Sequence, residues 1–134
     1  MLHDTVDVYM PKVIRSSMGA IFSLESNSII QCSSFDDVQK LLKDCNVDNI
    51  YAATMISSTS EKRSKPYWEM NCNEHTALCI GSEASGLSGE VRDMIDEGFV
   101  KAVHIPMSPG SIESLNAAIS GSIIMYEFHR QQTL

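Results

Sequence analysis

Two loops rich in small and polar residues carry the side chains best suited to holding a ligand. The first loop spans residues 81–89 and reads GSEASGLSG. The second spans residues 106–113 and ends just before Ser114 and Asn116, two residue types that favour a helix start. Each loop follows an apolar segment typical of a strand. Because open α/β sheets bind ligands where strand ends meet helix starts, the sequence predicts a small-molecule site at these loops.

The residue types in these loops disfavour phosphate binding and serine hydrolysis. The first loop has two glycines at the spacing of a P-loop, but Leu87 stands where a phosphate-binding lysine is needed. The acidic Glu83 would repel a triphosphate and suits a cationic or polar neutral ligand. Ser82, Ser85 and His104 do not form a serine-hydrolase pattern, since no acid is placed to orient the histidine. Tight turns at the ends of strands are the alternative interpretation of both loops.

The composition is that of one globular domain in a reducing compartment. The 134 residues are 43% hydrophobic and 20% charged, which suffices for one core. No apolar run approaches the roughly 20 residues of a membrane helix, and the first residues lack the features of a signal peptide. The four cysteines are interpreted as free thiols. We therefore predict an intracellular, cytoplasmic protein, with an organelle as the alternative if an N-terminal segment is missing.

No metal site is predicted. Cys72, His75 and Cys79 could be interpreted as a metal cluster, but a fourth ligand at zinc-finger spacing is missing. Free cysteines, at least one of them in a strand, are the preferred interpretation. The expected protein therefore binds neither a metal nor a membrane.

The charge balance argues mildly against a free-standing nucleic-acid binder. The formal net charge is −7, and phosphate contacts come from lysine and arginine. The basic cluster at residues 62–65 is interpreted as a solvated loop. RNA remains an open partner, because another chain or a missing domain could supply a basic surface.

The alternation of elements predicts an α/β fold. Helices are expected at residues 12–21, from a cap at 33–37 to about 45, at 90–95 and at 114–130. Strands are expected at residues 28–32, 49–54, 75–80 and 99–105, with the third in a buried parallel position. This order implies a mainly parallel sheet with helices on both faces. Gly19 indicates either close approach of a backbone or a ligand, or simple tight packing. Small residues one turn apart in the last helix, such as Ala117 and Gly121, would let another element approach closely.

Three segments resemble a known enzyme family. Residues 78–88, with the letters LCIGSEASGLS, resemble the second motif of the SpoU-type RNA 2'-O-ribose methyltransferases of the SPOUT superfamily. Residues 105–107, IPM, together with residues 114–118, SLNAA, resemble the third motif. Residues 7–22 are similar to the segment that this family carries between its first and second motifs. Both motifs occur in order and at the family's separation, which makes the resemblance specific.

The resemblance implies a fold, a cofactor and site residues. The family has a deep C-terminal trefoil knot, although connections rarely thread loops, and S-adenosylmethionine binds bent across the knotted loops. Gly86 would permit close backbone approach there. The implied cofactor-binding residues are Ile80, Gly81, Ser82, Gly86, Ile105, Met107, Ser114 and Leu115. The implied catalytic residues are Glu83, Ser114 and Asn116. The family also implies a homodimer and an RNA substrate, tRNA or rRNA.

One departure from the family's pattern affects the expected activity. The first motif, an asparagine-led loop followed by an arginine, belongs upstream of Asp7, so residues 1–134 are expected to be the C-terminal part of a single knotted S-adenosylmethionine-binding domain, truncated at its N-terminus. The reaction is an in-line transfer from a sulfonium to a 2'-hydroxyl, which needs positioning and removal of a proton. We expect cofactor affinity with weak or no turnover from this chain alone. The alternatives are a catalytically inactive knotted dimerisation or partner-binding module, and an unrelated α/β small-molecule binder.

Overall fold

The structure is a computed structural model that describes residues 5–25, 27–54, 64–72, 75–108 and 114–133. The chain forms two compact units, residues 1–43 and residues 44–134. The expectation of one domain over residues 1–134 stays a prediction. None of the helices in the described ranges combines the length and the apolar character that a membrane crossing requires.

The first unit contains helix α1 (Pro11–Ser16), a 3-10 helix (Ala20–Ser23) and most of helix α2 (Phe35–Asp44). The prediction of one helix over residues 12–21 is wrong, because Met18 and Gly19 have φ angles of 52° and 82°, and a left-handed backbone ends a helix. A side chain at Gly19 would meet nothing within 4 Å. The left-handed backbone angle therefore explains Gly19, and tight packing against the described residues does not account for it.

Helix α2 begins where the sequence indicates. Ser34 Oγ accepts a hydrogen bond from the Asp37 N–H at 3.2 Å, and the Asp37 carboxylate accepts from the N–H groups of Ser33 and Ser34. This reciprocal arrangement is a capping box, which satisfies donors at the helix start. The strand expected at residues 28–32 is wrong: this segment is irregular. A strand requires a partner, and the described strands pair only with one another inside the second unit.

The second unit is built on a four-stranded parallel sheet. Its strands are β1 (Asn49–Ala53), β2 (Lys65–Pro66), β3 (Thr76–Cys79) and β4 (Lys101–His104), in the order β2-β4-β1-β3. The helices of this unit are α3 (Gly89–Asp96) and α4 (Ala117–Thr133), and a 3-10 helix covers Tyr67–Glu69. The mainly parallel α/β fold is thus confirmed. The knot and the placement of helices on both sheet faces stay predictions, since residues 109–113 and 55–63 lie outside the described ranges.

Strand β3 differs from its predicted buried position. It pairs with β1 and is half-buried along its whole length, at the edge of the sheet that the described strands form. The centre of the sheet is occupied by β1 and β4 instead. Ala102 and Val103 of β4 are buried, as are Tyr51 and Ala52 of β1.

The core of the second unit joins the sheet to α4. Its buried cluster consists of Tyr51, Met70, Cys72, Val103 and Ile124. The Tyr51 hydroxyl accepts a hydrogen bond from the Asn71 N–H at 2.9 Å, so the polar end of this buried ring has a partner. This cluster fixes α4 against the two central strands, and those strands lead to or flank the predicted loops.

Candidate functional site

Both predicted ligand loops leave the same edge of the sheet. Strand β3 ends at Cys79 and strand β4 ends at His104, and both run parallel to β1, which lies between them. In a parallel sheet the carboxyl ends of the strands share one edge, and ligands of open α/β sheets bind there. The two segments that follow these strands, residues 80–88 and 105–108, therefore begin at the same edge of the sheet.

The loop after β3 folds back on itself through two glycines. The N–H of Ser82 donates to the Gly86 carbonyl and the N–H of Gly86 donates to the Ser82 carbonyl, both at 2.9 Å. A Cβ built on Gly81 would lie 2.4 Å from the Gly86 carbonyl carbon, a distance that no side chain tolerates. Gly86 has φ of +68°, in the left-handed region. Gly81 thus allows the close backbone approach, and Gly86 supplies the left-handed turn.

The tip of this loop is held by its serines. The hydroxyl oxygens of Ser82 and Ser85 lie 2.6 Å apart, and Ser82 Oγ also accepts from the Ser85 N–H at 3.0 Å. The N–H of Ser82, a predicted cofactor-binding residue, is already used inside the loop. The Ser82 carbonyl already accepts from the Gly86 N–H, so a ligand would meet Ser82 mainly through its hydroxyl.

A hydrogen bond between side chains joins the two motif loops. The Asn116 Nδ2 donates to the Glu83 carboxylate, across 33 positions of sequence. The Asn116 Oδ1 accepts from the N–H groups of Ala118 and Ile119, at 2.9 and 3.3 Å, and so caps α4. Asn116 thus connects the start of α4 to the carboxylate of the other loop. The structure brings these two predicted catalytic residues together, and Ser114 is exposed two positions before Asn116.

The apolar residues implied for the cofactor differ in their surroundings. Ile105 packs against the core cluster, so it can meet a ligand mainly through its backbone. Ile80 is 42% exposed, and its Cδ1 lies 3.7 Å from the place of a Cβ on Gly121 of α4. Met107 and Leu115 are half-buried. The small residue at position 121 therefore allows the end of β3 to lie close to α4.

Arg92 is a site residue that the sequence analysis missed. It lies in the first half of α3, and its Nε donates to the Leu87 carbonyl at 3.1 Å while its Nη2 donates to the Ser85 carbonyl at 3.2 Å. A Cβ on Gly86 would lie 3.4 Å from the same Nη2. One signal was available, because a basic residue near the positive N-terminal end of a helix is unfavourable unless it makes contacts elsewhere.

The structure also pairs His104 with Ser64, which the sequence analysis assigned only to a solvated loop. Ser64 Oγ lies 2.9 Å from His104 Nδ1, at the start of strand β2 and the end of strand β4. No signal in the sequence pairs these residues, which are 40 positions apart. The contact ties the edge strand to the strand that leads into the second loop.

A polar network braces the C-terminal half of α4. The buried Glu127 accepts from Arg130 Nε and Nη2 at 2.8 and 2.7 Å, and from Gln131 Nε2 at 2.7 Å. Gln131 also bonds to the backbone of Met70 and Cys72. The Arg130 hydrogen bond holds the pKa of Glu127 below its usual value. The spacing of Glu127, Arg130 and Gln131 at i, i+3 and i+4 was a readable signal.

The Cys72 thiol is buried and feels the charge of Glu127. Burial, with the Glu127 charge adding to it, raises the pKa of the Cys72 thiol to about 11, which disfavours the thiolate that a metal needs. Over the described ranges, no three histidine, cysteine or acidic side chains are grouped so as to hold a metal ion.

An open groove lies on the α4 side of the second unit. Its volume is about 410 Å³, and it is lined by Tyr67, Ser122, Ile123, Tyr126, Glu127 and Arg130. The groove contains none of the residues implied for the cofactor. It is therefore a feature separate from the two motif loops.

Comparison with known proteins identifies the family of this chain. The sequence profile of the SpoU rRNA Methylase family matches residues 1–126. The "rRNA methyltransferase 3A, mitochondrial" of Danio rerio is 33% identical over 159 residues, covering 94% of this chain and 36% of the relative. The "23S rRNA (uridine(2479)-2'-O)-methyltransferase" of Streptomyces viridochromogenes is 32% identical over 126 residues, covering 94% of this chain and 40% of the relative.

A solved structure agrees with this result. The SpoU methyltransferase AviRb from Streptomyces viridochromogenes, in complex with the cofactor AdoMet, superposes with a TM-score of 0.78 at 29% identity, covering 98% of this chain and 48% of that protein. The chain thus spans less than half the length of these two relatives and of AviRb. The two motif loops, their common sheet edge and the match over residues 1–126 lead to one conclusion. The chain belongs to the SpoU rRNA methylase family.

Proposed function

We propose that this chain forms the cofactor-binding part of an enzyme that transfers a methyl group from S-adenosylmethionine to a ribose 2'-hydroxyl of RNA. The observation that carries the proposal is the hydrogen bond from Asn116 to Glu83, which joins both family motifs at one edge of a parallel sheet. The 2'-O-methyltransferase name of the Streptomyces relative and the AdoMet complex of AviRb support it.

The chemistry of the described loops fits this cofactor. Glu83 is exposed at the loop tip and offers a carboxylate, which suits a cationic sulfonium better than a phosphate. Backbone groups of Ile80, Gly81 and Ile105 would hold the adenine and ribose, with Met107 and Leu115 beside them. S-adenosylmethionine supplies an electrophilic methyl group when it is bound. The protein's part is to fix the two reactants in line and to assist loss of the hydroxyl proton.

Glu83, Asn116 and Ser114 are the proposed catalytic residues. The Glu83 carboxylate oxygen that is not bonded to Asn116 can accept a hydrogen bond from a ribose hydroxyl. Asn116 fixes that carboxylate, because its own amide is held by the first turn of α4. The exposed Ser114 hydroxyl offers a further donor or acceptor beside it. These three groups would orient the hydroxyl toward the methyl donor.

The proposed substrate class is tRNA or rRNA. Relatives are named for both, including a "tRNA (guanosine(18)-2'-O)-methyltransferase" of Aquifex aeolicus that is 36% identical over 95 residues. The net charge of −7 means that this chain offers little general attraction for phosphates. We propose an intracellular compartment, which the free cysteines support. Subcellular fractionation decides between the cytoplasm and an organelle such as the mitochondrion. The name of the Danio rerio relative includes the word mitochondrial.

A homodimer is part of the proposal. Helix α4 exposes apolar side chains on its surface, with Ile119 53%, Met125 56% and Tyr126 68% exposed. The open groove of α4 adjoins Tyr126. Apolar surface of this kind on one helix is typical of an interface. The family resemblance indicates a second copy of the chain as its occupant, and the oligomeric state in solution tests this.

Heat denaturation with and without S-adenosylmethionine tests the proposed cofactor. A ligand that binds the native state must stabilise it, by about 2.7 kcal/mol at a hundredfold excess over Kd, which corresponds to a rise in Tm of several degrees. Calorimetry should show the same binding, and Glu83→Ala should weaken it. A folded dimer indifferent to S-adenosylmethionine would contradict the proposal and favour an inactive dimerisation module.

A further inference from the structure

Arg92 lies on the outside of α3 and reaches back over the loop that precedes this helix. Its two hydrogen bonds run to carbonyl oxygens five and seven positions earlier in the chain. The backbone N–H of Arg92 is bonded to the Ser88 carbonyl, as in a regular helix. The helix therefore sets the position of the Arg92 backbone, and its side chain transmits that position to the loop.

The two carbonyl partners of Arg92 flank the left-handed turn of the loop. Ser85 precedes Gly86 and Leu87 follows it, so the guanidinium spans this turn from one side. The planar fork of an arginine can hold two acceptors at once, which a lysine cannot do. Gly86 lacks a side chain at the point where the guanidinium lies against the loop. The turn is thus held by its own backbone bridge and by Arg92.

The Arg92 guanidinium contacts neutral backbone carbonyls. Within the described ranges, no carboxylate pairs with its guanidinium. The residue is exposed, and neutral carbonyl partners contribute little to overall stability when water can replace the donor. A role in shaping the loop accounts for these contacts better than a role in holding the fold together.

We propose that Arg92 is a positioning residue for the methyl-donor loop, holding residues 81–87 in their binding shape before the ligand arrives. This inference rests on the proposed function for the identity of the ligand. A loop fixed in advance loses less conformational freedom on binding, so its ligand binds more tightly. Arg92 itself does not touch the reacting atoms in this proposal. It acts through the backbone of Ser85 and Leu87.

The test compares Arg92→Ala with Asp93→Ala, an exposed neighbour on the same helix, in the full chain. In ligand-free protein, amide hydrogen exchange at Ser85 and Gly86 should be about fivefold faster in Arg92→Ala and unchanged in Asp93→Ala. By calorimetry, the Kd for S-adenosylmethionine should rise about fivefold to tenfold in Arg92→Ala alone. The ligand-free Tm should stay within about 2 °C of wild type.

A third variant separates the fork from the charge. Arg92→Lys keeps the positive charge and loses the two-acceptor geometry, so it should bind S-adenosylmethionine nearly as weakly as Arg92→Ala. Full rescue by lysine would overturn the positioning role, as would unchanged exchange and affinity in Arg92→Ala, or a loss of affinity accompanied by a fall in the ligand-free Tm of more than about 5 °C.

Failure of the proposed function gives a different result. If the wild-type chain does not bind S-adenosylmethionine, the proposed ligand is wrong, and the inference fails as far as it names a methyl-donor loop. The exchange rates of ligand-free Arg92→Ala then still decide whether Arg92 fixes the loop. If the wild-type chain binds S-adenosylmethionine and Arg92→Ala binds it equally well, the role of Arg92 is overturned while the proposed function stands.

Discussion

At the scale of single residues, Gly81 and Gly86 of the first loop have different physical roles. Gly81 lies so close to the Gly86 carbonyl carbon that a Cβ would approach it to 2.4 Å. Gly86 needs its φ of +68° to close the turn. By contrast, a Cβ on Gly89 would meet nothing within 4 Å, and its φ is not positive. The same residue type is therefore required at position 81 and replaceable at position 89.

Gly81→Ala should damage the loop while Gly89→Ala should not. The added methyl at position 81 meets backbone atoms that cannot move aside, so we expect a loss of about 1–3 kcal/mol in unfolding free energy. The Kd for S-adenosylmethionine should rise at least about tenfold, since the loop must open. Gly89→Ala, at the first position of α3, should be neutral or more stable by about 0.5–1 kcal/mol. Denaturant unfolding and calorimetry measure both, and equal behaviour of the two variants would contradict this account.

At the scale of elements, α4 serves both the site and the core. Its first turn is capped by Asn116, which also holds Glu83. Its C-terminal half is fixed to the backbone of Met70 and Cys72 by Gln131, which also donates to Glu127. The site-forming end and the bracing end therefore belong to one rigid helix of 17 residues. A substitution that breaks the hydrogen bonds of Glu127 or Gln131 is therefore expected to loosen the Asn116 cap and its contact with Glu83.

The brace predicts a specific dependence of stability on pH. The pKa of Glu127 lies below its usual value in the folded chain, mainly because of the Arg130 hydrogen bond. A lowered folded pKa means that the contribution to stability is complete above the model-compound value of 4.5 and is lost as the pH falls below it. Glu127→Gln should lower the unfolding free energy by about 1–2 kcal/mol at pH 7. The difference between variant and wild type should shrink toward pH 3.

The control for this prediction is a carboxylate outside the network. Glu97 is exposed at the end of α3, and Glu97→Gln should leave the pH profile of stability close to that of the wild type. Urea unfolding at a series of pH values measures all three proteins. A constant difference between Glu127→Gln and wild type from pH 7 to pH 3 would show that the Glu127 charge does not stabilise the fold.

At the scale of the whole molecule, the exposed apolar surface of α4 has a measurable consequence. The proposed homodimer should appear in sedimentation velocity as a species of twice the chain mass at micromolar concentration. Tyr126→Lys places a charge in that surface and should shift the equilibrium toward the monomer, since burying an unpaired charge is costly. Phe99→Lys is the matched control, because Phe99 is 69% exposed, close to the 68% of Tyr126, and lies outside α4. A chain that sediments as a monomer, or equal effects of both variants, would contradict the proposed interface.

Local chemistry decided which parts of the fold could be predicted. The cap of α2 and the strand at residues 49–53 follow from short-range patterns, and both were predicted at nearly their observed bounds. Helix α1 ends early because Met18 adopts a left-handed backbone, which no propensity of methionine indicates. The position of β3 at the sheet edge depends on which strands pair, and this is a property of the assembled sheet. The apolar residues of β3 therefore did not indicate that this strand would be only half-buried.

The family, the parallel α/β class and the two motif loops could be predicted from the residue types alone. Their motifs are contiguous runs of residue types, which can be recognised directly in the amino-acid sequence. Three contacts appear only in the folded chain: Asn116 with Glu83, Gly81 with the Gly86 backbone, and Arg92 with the loop. Each of these is a contact between segments that the chain folds together. Contact geometry depends on distances and backbone angles, which residue types alone do not specify.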